Sequence, residues 1–443
     1  MWHIQSTRRL WHRQCMPVTV SRCGRHPATA RAAGLGFALL ALSAAHAAGV
    51  LKLSEAEQIA IGADPVIAAG RARAQALGDE AVAAGQLPDP SMKAGVANLP
   101  LDTFKLNQEP MTQLVVGIEQ SFPPGDTLRY RRQQGEWKSA AERASTRDDT
   151  LKLMRDVRSS YLELYYQTQA ERIVSESRGL FAQLVQITRD QYATGRSSQQ
   201  DVLSASLELA RLDDRATQIK NSLEDNRATL GKWLGTAAAR PLDTQFPALP
   251  ALPARAELAA ALPDHPAIRA ETAQIESETR GVRIAREQYK PDWNIGLAYG
   301  QRYGEDAAGS SRPDMLTAMV SIHLPLFPGQ RQDRRLAASL QQAEAARYTR
   351  ADRLRKLKAM LDTEYANWQR LGERAALYKS RLLREADANA EAALNAYQSG
   401  VTEFTTLMRA RITDLDVHLD ALRIRIDRAK AQARLLYLAG GVK

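Results

Sequence analysis

The chain has 443 residues, 60 basic and 50 acidic, with a formal net charge of +10 and a mean hydropathy of −0.38. This average reads as soluble rather than as a bundle of spanning helices. The charges are interspersed along helical patterns instead of gathered in a stripe, which argues against a nucleic-acid partner.

The single long apolar stretch, Ala32 to Ala45, is shorter than the ~20 residues a spanning helix needs. It follows a basic, acid-free segment (Arg8, Arg9, Arg13, Arg22, Arg25, Arg31) and ends in Ala45-His46-Ala47. Positive region, apolar core and small-residue site together read as a secretory signal over residues 1–47. Met16 is an alternative start. Without the six leader arginines the balance is 54 basic against 50 acidic residues, a net of +4. Both cysteines, Cys15 and Cys23, leave with the leader, so the mature chain holds no disulfide, thiolate metal site or lipidated N-terminal cysteine. Mature protein should start near Ala48 by mass, and retained Cys23 would refute the cleavage.

Beyond the leader, a short helix (54–61) precedes Asp64-Pro65, a helix-start signal, and the helix that follows should run to about Gln86 before Pro88 and Pro90. Met92, Ala94 and Val96 then alternate with small or polar residues as a weak strand. A polar loop leads to a clearer one, with Leu114, Val116 and Ile118 on one face and Gln113, Val115, Gly117 and Glu119 on the other. Pro123-Pro124-Gly125 closes it. No proline occurs from Asp126 to Tyr192; a continuous helix there would be roughly 100 Å long. After a turn around Gly195, a second helix reaches about Leu234 with a seam at Val202, Ala205, Leu209, Leu212, Ala216, Ile219 and Leu223. Residues 236–265 form a proline-rich linker with one short helix (255–262).

The order then repeats. Asp64-Pro65 returns as His265-Pro266 and Pro90 as Pro291, both shifted by 201. Tyr161 returns as Tyr365 and Gly125 as Gly329 (204), Tyr192 and Gly195 as Tyr397 and Gly400 (205), and Gly235 as Gly440 (205). Residues 48–235 and 266–443 are therefore two copies of one unit: helix, strand hairpin, long helical hairpin. In the second copy Trp293, Ile295, Leu297 and Tyr299 alternate along one strand, and Leu316, Ala318, Val320 and Ile322 along the next. Strands are expected near 91–98, 113–121, 292–301 and 315–324. The last two helices, 330–397 and about 403–438, carry seams with steps of three and four over four heptads, hence coiled-coil packing.

Strands of about ten residues, apolar on one face and small or polar on the other, have the pattern of transmembrane β-strands. Trp293 and Tyr299 bracket Ile295 and Leu297 as interfacial aromatics do. A small soluble sheet packed on helices would alternate in the same way. If the strands meet lipid, four cannot close a barrel around a lumen, because about eight are needed, and open edges are excluded from hydrocarbon. Several chains would then have to share one barrel.

This repeated order resembles the TolC-type outer-membrane factors of efflux pumps over essentially the whole mature chain. The most specific elements are Tyr192-x-x-Gly195 followed by Asp201-Val202-Leu203, and Tyr397-x-x-Gly400 followed by Thr406-Leu407-Met408. Pro88-Asp89-Pro90, Asn98-Leu99-Pro100, Glu109-Pro110-Met111-Thr112-Gln113 and Phe122-Pro123-Pro124-Gly125 are similar to the heavy-metal branch. The resemblance implies a homotrimer with a shared 12-stranded β-barrel on a long α-helical coiled-coil barrel. It implies a passive exit duct in the outer membrane, worked by a periplasmic adaptor and an inner-membrane pump of RND type. The resemblance favours heavy-metal ions as cargo, with a general drug or protein export duct, or a periplasmic coiled-coil scaffold, as the alternatives.

The lipid face would be Leu114, Val116, Ile118, Trp293, Ile295, Leu297, Tyr299, Leu316, Val320 and Ile322. The resemblance makes the tips around Tyr192, Gly195 and Arg196, and around Tyr397 and Gly400, the periplasmic aperture and adaptor-docking site. Related proteins often carry carboxylates six and nine positions after the second glycine. Thr406 and Arg409 stand there instead, while Asp201 is kept in the first hairpin. Asp201 and Glu403 facing Arg196 or Arg409 would make an ion-pair latch. Nothing organises catalysis: the mature histidines, His265, His323 and His418, are far apart, and no metal-ligand spacing, phosphate loop or nucleophile motif occurs. No cofactor or metal is expected.

Overall fold

The computed structural model describes residues 49–441, so the leader reading lies outside the described residues. Two helices, α1 (Leu53–Ala63) and α2 (Pro65–Ala84), open the chain. Asp64 starts α2 by accepting the N–H groups of Val66 (2.8 Å) and Ile67 (3.1 Å), which satisfies two of the donors a helix N-terminus leaves free. Strands β1 (Ser91–Ala97) and β2 (Gln113–Phe122) follow, then α3 (Thr127–Ala193), 67 residues without a break. Helix α4 (Gln199–Leu234) returns antiparallel, and α5 (Arg255–Ala261) lies within the proline-rich stretch. The second half comprises α6 (Pro266–Glu287), β3 (Asp292–Arg302), β4 (Met315–His323), α7 (Gln332–Leu377), α8 (Leu383–Gln398) and α9 (Phe404–Leu438). Among the described residues no helix is long and apolar enough to cross a membrane.

The expectation of one unbroken helix over 330–397 needs a correction. Residues Tyr378–Leu382 form a π turn between α7 and α8. A π turn accommodates one extra residue, which rotates everything beyond it by about 100° relative to the preceding seam. Local composition across the turn is ordinary helix-former composition, so the sequence pattern carries no sign of it.

Helix α3 is the centre of the molecule. It packs against α1, α2, α4, α6 and α9, whereas α7 packs against α5, α6 and α9. The seams read from sequence are the buried lines: Ala205, Leu212 and Leu223 on α4, Leu357, Leu361 and Leu371 on α7, and Leu415, Leu419, Leu422 and Ile426 on α9. These lines assemble into apolar clusters strung along the bundle. One joins Val174, Phe181 and Leu184 of α3 to Leu407 and Met408 of α9; another joins Leu51, Val157 and Tyr161 to Leu230 and Leu234.

The four strands form one antiparallel sheet in the order β1-β2-β3-β4. The central pairing, β2 with β3, joins the two halves, with Val116 opposite Tyr299 and Ile118 opposite Leu297. Both outer strands, β1 and β4, have a neighbour on one side only.

Candidate functional site

The register decides which side chains share a face. Val116, Tyr299 and Leu316 form one cross-strand row, Ile118, Leu297 and Ala318 the next, and Ile295 with Val320 and Trp293 with Ile322 complete the pattern. Leu114 lies two residues from Val116 and so on the same face. All ten residues singled out from alternation thus fall on one side of the sheet. Their exposure runs from 38% at Leu114 to 70% at Leu316, and no helix covers them. An apolar face of this extent is not stable against water. Phe122, opposite Trp293, adds an aromatic at the helix-proximal end. Tyr299 donates its hydroxyl to Asp314 near the other end.

The opposite face carries mostly small or polar residues, with Val115, Met315 and Met319 among them. Gly117, Gly296, Ala298, Gly300, Thr317 and Ser321 alternate there with Lys93 paired to Glu119. His323 shares this face with Met319 and Ser321, and its Nδ1 lies 2.7 Å from Asp292 Oδ1. At Gly117 an added Cβ would come within 3.0 Å of the Ala298 Cβ, so this side is tightly spaced.

At the far end of the helices the two hairpin turns lie together. Gly195 (φ +73°) and Gly400 (φ +75°) take the left-handed conformation that ends a helix cheaply only with glycine. Each donates its N–H to the carbonyl three residues back, Tyr192 and Tyr397 respectively. The next residues, Arg196 and Val401, reach back five, to Gln191 and Ala396. The turns are thus the same Schellman motif twice. The Tyr397 hydroxyl donates to Gln191 Oε1 at 2.5 Å and ties one tip to the other. A polar cleft of about 590 Å³ between them is lined by Arg196, Asp201, Tyr397, Gly400 and Glu403. Thr406 and Arg409 are exposed on the first turns of α9.

The ion-pair latch does not form within the chain. Among the described residues neither Asp201 nor Glu403 pairs with Arg196 or Arg409. Asp201 is instead the acidic member of a capping box, accepting from the Ser198 N–H (3.0 Å) and the Ser197 and Ser198 hydroxyls. Burial opposes its ionisation, but these donors outweigh it and hold the carboxyl below the usual range. The links between hairpins lie further up and were not legible locally. Arg215 of α4 meets Asp416 of α9 at 2.8 Å, and Arg423 and Lys430 of α9 converge on Glu163 of α3.

The other two histidines lie on the helices. His265 is the buried N-cap of α6: Nδ1 accepts the Ala267 N–H at 3.2 Å, so Nε2–H donates to the Tyr437 carbonyl at 3.0 Å. Beside it, Asp148 accepts the Tyr437 hydroxyl (2.9 Å) and pairs with Lys152 (2.8 Å). His418 is half-buried beside Asp414 and Asp387.

A helical column tens of ångströms long, ending in a small sheet with one bare apolar face, is the fold of an outer-membrane channel subunit. The model of the family "Outer membrane efflux protein" matches twice, over residues 57–236 and 258–441, one match in each half. The chain belongs to that family: it is an outer-membrane efflux channel that extends into the periplasm, the outermost part of a tripartite system with an adaptor and an inner-membrane pump. It is 23% identical over 313 residues (70% of this chain, 71% of the relative) to the cobalt-zinc-cadmium resistance protein CzcC of Cupriavidus metallidurans. Among solved structures it is similar to the outer membrane protein VceC of Vibrio cholerae, at TM-score 0.73 and 18% identity over 88% of this chain and 96% of that one. It is also similar to CusC, described in terms of folding and transmembrane channel formation, at TM-score 0.73 and 16% identity over 88% and 92%.

Proposed function

We propose that three copies of this chain close a 12-stranded barrel and carry heavy-metal cations out of the cell as a passive duct. The observation that carries the assembly is the open sheet. One chain supplies four strands, a bare apolar face and two unpaired edges, and unpaired backbone cannot face hydrocarbon. Pairing β4 of one copy with β1 of the next removes every edge, and three copies reach a strand count that encloses a lumen. The opposite face, mostly small or polar, then lines the lumen. The mature segments 48–235 and 266–443 act as pseudo-equivalent staves joined by the linker 236–265. The chain does no chemistry of its own, and energy enters through the pump, which we take to be of RND type.

The reading of the tips follows from their place. Tyr192, Gly195, Arg196 and Asp201, with Tyr397, Gly400, Glu403, Thr406 and Arg409, form the end remote from the sheet. We assign them to the periplasmic aperture and to adaptor docking. The metal cargo rests on similarity to CzcC, whose name records cobalt, zinc and cadmium resistance.

Leu297 and its neighbour Ala298 test the faces. Arginine at a bilayer-midplane lipid position costs about 2–4 kcal/mol, while a lumen position keeps the charge hydrated. Leu297→Arg should lower the trimer yield in outer-membrane fractions and Ala298→Arg should assemble. Equal yields, or the larger defect at Ala298, would overturn the assignment. A folded detergent-solubilised monomer would overturn the trimer.

A further inference from the structure

Helices α8 and α9 bring together three side chains, of which only Asp414 and His418 are neighbours by helical spacing. Asp387 stands on α8, one turn beyond the π turn, and Asp414 and His418 stand one helical turn apart on α9. One ligand atom from each lies within 4.8 Å of the other two. His418 Nδ1 is 3.0 Å from the Asp414 backbone carbonyl, so that nitrogen carries the proton and donates. The Nε2 lone pair is then turned toward Asp387 Oδ1 at 3.6 Å. A lone pair facing a carboxylate oxygen is a repulsive contact, which a proton on Nε2 or a bound cation relieves. Asp414 Oδ1 is buried with no hydrogen-bond partner and lies 3.3 Å from Nδ1 of the same ring. A ring nitrogen that donates to a backbone carbonyl while its twin stays free is the usual arrangement of a metal-ligating histidine.

We propose that Asp387, Asp414 and His418 form a binding site for a divalent first-row transition cation of the zinc class, which clamps α8 to α9. One imidazole nitrogen and two carboxylate oxygens are a three-ligand set that leaves a fourth tetrahedral position to water. With bonds of about 2.0–2.2 Å, tetrahedral ligand atoms stand roughly 3.3 Å apart. The Nε2–Asp387 separation of 3.6 Å is already near that value, and the Asp414 carboxylate would have to swing from the Nδ1 side of the ring to the Nε2 side to complete the set. Magnesium and calcium favour all-oxygen shells with more ligands and are disfavoured here. The π turn has a part in this: its extra residue sets the angular position of Asp387 against α9. The site is independent of what the duct carries, because it follows from the wall of one chain.

The test uses the full mature chain, purified in detergent and stripped with chelator, then titrated with Zn²⁺ by calorimetry. One equivalent per chain should bind, and Mg²⁺ at the same concentration should give no heat. Asp387→Asn and His418→Gln should each weaken Zn²⁺ binding at least about tenfold. Asp387 is exposed, so its amide variant folds whatever becomes of the half-buried His418. Co²⁺ substituted into the wild type should give the strong visible bands of a tetrahedral ion, and these should fade in Asp387→Asn. Absence of Zn²⁺ binding, or binding undiminished by Asp387→Asn, overturns the site. Neither result bears on trimer assembly, which is read from detergent-phase mass.

Discussion

Asp148 on α3 and Asp352 on α7 hold equivalent places in the two halves, separated by the same 204 residues as Tyr161 and Tyr365. Asp148 is 3% exposed and serves Tyr437, Lys152 and Arg353. Among the described residues Asp352 pairs only along its own helix, with Arg355 and Lys356, and its side chain is 36% exposed. The tyrosines differ in the same sense. Tyr161 is buried with its hydroxyl donating to the Leu51 carbonyl, and Tyr365 is half-buried against Trp368. Duplication copied the backbone but not the environment, because α3 is wrapped by helices on several sides and α7 lies at the flank. The large apolar residues that α7 leaves exposed, Leu340, Tyr348, Met360 and Leu377, are where a neighbouring copy would seat in the proposed trimer.

The sharpest way to break this comparison is to remove both carboxylates in turn. Asp148→Ala should cost about 3 kcal/mol, from two charge-assisted bonds lost at a buried group. The figure stays moderate because Lys152 and Arg353 can reach water. Asp352→Ala should leave the urea midpoint of the detergent-solubilised protein unchanged. Equal losses would mean that the halves are energetically alike. The same buried centre should also make the molecule acid-sensitive. Burial pushes the His265 imidazole below its ordinary value, and the Tyr437 carbonyl and Asp148 only partly restore it, with Arg353 and Lys152 adding to the depression. The unfolded chain then takes up a proton first, so this contribution is complete above about pH 6.5 and falls away as pH drops below it. A midpoint–pH profile of His265→Asn, which keeps a capping acceptor, should be flatter than wild type between pH 7 and 5.

Glycine pairs offer the next contrast. Gly125 takes a left-handed conformation (φ +51°), and an added Cβ would fall 1.9 Å from Glu287 Oε2. That carboxylate also accepts the Asp126 N–H at 2.9 Å, so it cannot move aside without loss. Gly329, its counterpart, has no neighbour nearer than 4.0 Å and no positive φ. Gly125→Ala should therefore cost about 2 kcal/mol, the left-handed penalty plus the displaced contact. Gly329→Ala should be near neutral on the same urea assay.

What the sequence made legible is periodic. Strand alternation located the apolar face at Leu114 to Ile118 and Trp293 to Tyr299, and steps of three and four marked the buried lines of α4, α7 and α9, because those periods are imposed locally by backbone geometry. The pairing of β2 with β3 is set by how two distant helical hairpins dock, and no local period encodes it. The same holds for Asp148 meeting Tyr437, and for Asp387 meeting His418 across two helices. The π turn was hidden because composition does not change there. The latch failed for a local reason: Ser198 lies three residues before Asp201, a capping-box spacing that itself claims the carboxylate.

The smallest effect separates the two tips, whose turns share one backbone motif but start their next helices differently. Ser198 caps α4, its hydroxyl accepting the Asp201 N–H at 3.1 Å while Asp201 answers to the Ser198 N–H. At the equivalent place before α9 stands Glu403, which makes no side-chain cap. There the start is held by burial instead, with Phe404 buried and its ring 5.5 Å from that of Tyr397. Ser198→Ala should thus cost about 1 kcal/mol, and Glu403→Ser, which supplies the missing acceptor, should gain up to a similar amount. Hydrogen exchange at the first turns of α4 and α9 reads each change where it acts. The outcome that would sink the contrast is α9 fraying less than α4 in the unaltered protein. In that case apolar packing at Phe404 outweighs the capping box, and the second tip, not the first, is the firmer of the two.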